Sequence, residues 1–139
     1  MTSSTIAATP RPLRIPTWRL ALSRTGVVLT MLMATMNTIN GGSALLGVQS
    51  GEPVSPVIAA LLFGIGLPTL ILVVPAWKSV QWALVTVIAL RALEALTMWV
   101  PMGPGDWYSA PENRPFYVLL VVVSLAVCAL MSLGLRRRA

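Results

Sequence analysis

Apolar residues fill four stretches of this chain: 25–47, 56–76, 79–101 and 115–135. Between them lie short connections rich in Gly, Pro and polar residues. Each stretch is close to the roughly 20 residues that a helix needs to cross about 30 Å of hydrocarbon. The pattern predicts an all-α polytopic membrane protein whose transmembrane domain, 25–135, is a four-transmembrane-helix bundle. Outside it are a tail at 1–24, basic and read as largely disordered, and a short basic end at 136–139.

The third stretch breaks the pattern in its middle. Arg91 and Glu94 sit inside VQWALVTVIALRALEALTMWVP, which otherwise reads as lipid-soluble. A charge near mid-bilayer costs about 2.5–3.5 kcal/mol on insertion scales, and each surrounding Leu, Ile or Val returns only about 0.3–0.6 kcal/mol. This segment therefore needs partner helices, and the charged pair is expected to face them. Three residues apart on a helix, the two side chains are neighbours.

The other stretches carry weaker interruptions. In the first, Asn37, Asn40, Gly41 and Ala44 follow the i, i+3, i+4, i+7 spacing of one helical face. Counted from Arg24 and Lys78, Asn37 matches Arg91 in depth and Asn40 matches Glu94. In the second, Pro56 suits a first turn, whereas Pro68 removes a hydrogen bond and its ring clashes with the Gly64 carbonyl. Gly64, Gly66 and Pro68 thus predict a kink or broken turn near mid-membrane, with Arg91 as a candidate donor to the freed carbonyl. The candidate polar site is Asn37, Asn40, Arg91 and Glu94, with Gly64 at the same level and Thr97 and Ser124 at its edge. The fourth stretch reads as a lipid-facing wall.

Composition agrees with a membrane class: 56% hydrophobic and 10% charged residues, against about a quarter charged in soluble domains, with a mean hydropathy of +0.81. The net charge of +6 is placed for lipid headgroups rather than nucleic acid, because the basic residues flank the apolar stretches. With both termini inside, eight of ten basic residues are cytoplasmic, a one-sided case of the positive-inside rule. Trp99, Trp107, Tyr108, Phe116 and Tyr117 are read as an outer aromatic belt.

The chemistry available is sparse. The chain has no histidine and one cysteine, Cys128, which weighs against haem, zinc or copper sites and against His-based acid–base catalysis. Met31, Met33 and Met36 scatter around their helix and suit adaptable packing. No catalytic set, metal site or cofactor is expected.

Gly41-Gly42 in the outer part of the first helix, the Pro56-led second helix, Glu94 in the third and the aromatic/Pro loop after it resemble small four-helix actinobacterial membrane proteins of unknown function. That resemblance implies a fold and carries no activity. Small multidrug-resistance transporters also have four short spans and one intramembrane glutamate, but theirs lies in the first helix. The expectation is a non-enzymatic component of a bacterial cytoplasmic membrane. It would be an accessory or assembly subunit of a larger complex, or a homo-oligomer, with the Arg91–Glu94 pair fixing helix packing. Its partners are the lipid bilayer and other subunits or copies of itself. The alternative is a small ion- or proton-linked transporter or channel using Arg91 and Glu94.

Overall fold

The computed structural model describes residues 15–48, 54–97 and 111–135. Four helices account for nearly all of them: α1 (Thr17–Leu45), α2 (Pro56–Trp77), α3 (Gln81–Thr97) and α4 (Arg114–Ser132), with a single 3-10 turn, Pro111–Asn113, leading into α4. Three helical segments, Thr17–Leu45, Pro56–Trp77 and Pro111–Ser132, are long and apolar enough to cross a membrane. The described part of α3 has 17 residues, about 26 Å at 1.5 Å per residue. The remainder of the expected third stretch, 98–101, and the outer-belt residues Trp99, Trp107 and Tyr108 lie outside the described residues.

Neighbouring helices run in opposite directions. Ser23 near the start of α1 donates to the Met131 carbonyl near the end of α4 (3.3 Å). Cys128 of α4 meets the Ile88 carbonyl of α3 (3.7 Å). The α2–α3 connection is a tight turn in which Ser79 takes a left-handed backbone, φ 59°. Contacts join α1 to α2, α2 to α3, α3 to α4 and α4 to α1, with α1–α2 the most extensive. The pairs α1/α3 and α2/α4 therefore face each other across the diagonals.

Two glycines explain the tight α1–α2 seam. A Cβ on Gly41 would lie 2.6 Å from the Phe63 backbone nitrogen, and one on Gly66 would lie 2.6 Å from Thr38 Oγ1 and 3.0 Å from the Ala34 carbonyl. Small residues at such crossings let helix backbones come together, gaining packing where lipid offers no hydrophobic drive.

The burial pattern is turned outward. Val27, Ala83, Leu84, Val87, Val127 and Met131 form an apolar core at one end, but Ser23, Thr30, Thr69, Arg91, Glu94 and Ser124 are also buried. Large apolar side chains cover the exterior of all four helices: Leu32, Ile39, Ile71, Leu96 and Val122 are each more than half exposed. Contiguous apolar surface on this scale is what a bilayer covers.

The structure corrects three readings of the sequence. First, α1 begins at Thr17 rather than at 25. Pro16 sits at the N-cap, and Arg19 and Arg24, read as tail charges, ride on the helix, where long basic side chains are well tolerated. Second, α2 runs as one helix from Pro56 to Trp77, through both Pro68 and Pro75, so of the kink or broken turn expected at Gly64, Gly66 and Pro68 the broken turn does not form. Gly66 serves the close approach of α1. Third, α4 is not simply a lipid-facing wall. It buries Tyr117, Val121, Ser124, Val127 and Met131 along one side, and of the belt pair Phe116 is exposed while Tyr117 is buried.

Candidate functional site

Arg91 and Glu94 are set on the buried side of α3 by the helical period. Residues 84, 87, 91, 94 and 95 all face inward, which is the i, i+3, i+7 stripe of a core-facing helix. Arg91 is 0% and Glu94 3% exposed. Arg91 Nη1 donates to Glu94 Oε2 in an ion pair. Arg91 Nη2 crosses to α1 and donates to the Thr30 carbonyl at 3.2 Å. From the opposite side, Asn37 Nδ2 donates to Glu94 Oε1 at 2.5 Å.

The result is a bridge across the bundle's diagonal. Helices α1 and α3 make little backbone contact, yet two polar bonds join them, one to Thr30 and one to Asn37. Those anchors are seven residues apart, about 10 Å along α1. Both carboxylate oxygens have donors, and the cation touches an anion and a carbonyl, which are the conditions under which a buried ion pair is tolerated. Thr30 is itself buried, with its hydroxyl 3.5 Å from the Met131 sulfur, so α4 backs the same anchor.

The other candidates divide. Asn37 joins the pair, but Asn40 is exposed and stands outside the bridge. At 100° per residue, Asn37 and Gly41 straddle the inward direction, and Asn40 falls beyond the edge of that face. The facing of Asn37 and Glu94 also sets the α1–α3 register one turn away from the match counted from Arg24 and Lys78. Gly64 is exposed with open space around its Cα; Arg91 bonds the Thr30 carbonyl, not that of Gly64. Thr97 turns back to the Glu94 carbonyl (2.8 Å). Ser124 is fully buried, and its Oγ, like Arg91 Nε, has no hydrogen-bond partner among the described residues.

Sequence reading missed the Thr30 carbonyl as an anchor. A backbone acceptor leaves no residue-type signal. The only hint was Thr30 itself, a polar residue about two helical turns before Asn37. Among the described residues no group of three or more His, Cys, Asp or Glu side chains converges as metal ligands would. No family model, curated protein or solved structure matches this chain.

Proposed function

We propose that this chain is a small, non-enzymatic integral membrane component with four spans and both termini cytoplasmic. It acts as an accessory or assembly subunit of a membrane complex, or as a homo-oligomer, through its helical exterior. One observation carries the reading. The charged pair that chemistry or transport would use is turned inward, with Arg91 0% exposed and both Glu94 oxygens bonded. What faces outward is apolar side chain on every helix. The Arg91–Glu94–Asn37 bridge then sets helix register, which is the best-attested use of buried polar groups.

Gentle solubilisation followed by cross-linking and mass determination tests this. A specific co-purifying protein, or a defined oligomer, is the expected result. A bare monomer with no protein partner at any detergent strength overturns it. A transporter built on the same pair needs Glu94 to exchange protons or ions with water, which its burial opposes. Flux in vesicles that vanishes in Glu94→Gln and Arg91→Gln would establish that alternative instead.

A further inference from the structure

A second feature lies away from the bridge, at the end of the bundle where α1 starts and α2 finishes. Val27, Val28 and Met31 of α1 and Val73, Val74 and Trp77 of α2, with Lys78 just after α2, line a groove of about 340 Å³. Its walls are apolar along their length, about 10 Å from Arg24 to Met31 at helical rise. Positive charge gathers at one end only. The Arg24 guanidinium lies over the Trp77 ring, 5.3 Å from its centroid, and Lys78 is exposed beside it. Neither cation has an acidic partner among the described residues, where the ion pair is Arg91–Glu94. Trp77 is 43% exposed, an aromatic at the level where headgroups begin.

We propose that this groove holds a single anionic phospholipid. Its phosphate lies between Arg24 and Lys78, and one acyl chain runs along the Val27/Met31/Val73 floor. The polarity is that of an amphiphile: charge at one end, then hydrocarbon. A free anion would make no use of the apolar floor. A second copy docked two-fold on this face would bring two Arg24–Lys78 sets together with no acid between them. The cation–π contact holds Arg24 in place at little cost, and neighbouring basic residues add attraction to anionic headgroups. The proposal rests on membrane insertion alone and not on the accessory role.

The test is native mass spectrometry of the full chain in mild detergent, titrated with phosphatidylglycerol or with phosphatidylcholine of the same chains. A 1:1 phosphatidylglycerol adduct at least tenfold more abundant than the phosphatidylcholine adduct is expected. Arg24→Gln with Lys78→Gln should remove that preference. Val28→Trp, which fills the groove and leaves both cations, should lower adducts of either lipid. Arg114→Gln is the control and should change nothing. Equal retention of the two lipids overturns the site, as does an undiminished adduct in Val28→Trp, which would mean diffuse charge attraction. A dimer that Val28→Trp abolishes while lipid adducts persist would put a second copy in the groove and also overturn it. Helical content is checked by circular dichroism, and the exposed position of all four residues keeps the variants foldable. Alkaline washing of membranes separates the two failures. A chain that washes off fails the membrane reading, whereas one that stays but retains no lipid fails only the site.

Discussion

Replacing Glu94 by Gln keeps the shape of the bridge and removes its anion. Arg91, fully buried, is left with only the Thr30 carbonyl. The new amide offers one oxygen to two converging donors, Asn37 Nδ2 and Arg91 Nη1, so its own NH₂ must point at one of them. Leaving a buried charge uncompensated costs about 3–5 kcal/mol, roughly 100- to 4,000-fold in the folding equilibrium at 1.4 kcal/mol per decade. The lower end is the better guide where a bilayer-inserted unfolded chain finds substitute partners. The complementary change is the triple variant Arg91→Met, Glu94→Leu, Asn37→Leu, which removes every charged or amide member together. It should be neutral, or more stable by about 1–4 kcal/mol, since a packed apolar replacement avoids desolvation altogether. Unfolding by SDS in mixed micelles, followed by circular dichroism, measures both. A Glu94→Gln midpoint within about 0.5 kcal/mol of the parent would refute the bridge, being the scatter of ordinary surface substitutions. So would a triple variant as unstable as Glu94→Gln.

Asn37→Ala should lose about 0.6–2 kcal/mol in the same assay, the range of one interhelical hydrogen bond in a membrane, while Asn40→Ala, on the exposed face, should lose nothing measurable. Gly41→Ala drives a Cβ into the α2 backbone and should cost about 1–3 kcal/mol; Gly64→Ala meets open space and should gain about 0.5–1 kcal/mol, and the reverse order would contradict the α1–α2 seam. With Cys128→Ala as background, Ser3→Cys and Ala139→Cys should react with an impermeant maleimide only in inverted vesicles and Arg114→Cys only in intact cells. Any swap between those compartments would refute the proposed orientation.

The helices were legible because each is a long apolar run, and the Arg91–Glu94 neighbourhood was legible because i, i+3 spacing is local. What joins that pair was less so. Which helix lies across the diagonal is decided by tertiary packing, and the acceptor that Arg91 finds, the Thr30 carbonyl, is a backbone atom that every residue has. Asn37 and Asn40 looked equivalent by spacing, yet 60° of rotation separates a bonded amide from an exposed one. Hydropathy also stopped α1 too late at its start. Arginine lowers an apolar average without opposing helix formation, so Thr17–Arg24 reads as tail although it continues the helix. At Pro68 the local rule sees a lost bond and allows a broken turn, whereas the helix carries through, next to the close α1–α2 approach at Gly66.

The diagonal bridge bears on how such a chain is made. Synthesis delivers α1 and α2 first, and the close contacts of Gly41 and Gly66 lie wholly between those two helices. Asn37 and the Thr30 carbonyl therefore belong to the part of the chain made before α3 and its two charges. The helix that carries two buried charges thus follows, in the chain, the helix that holds both of its cross-bundle partners, an order in which the earlier half can template the later one.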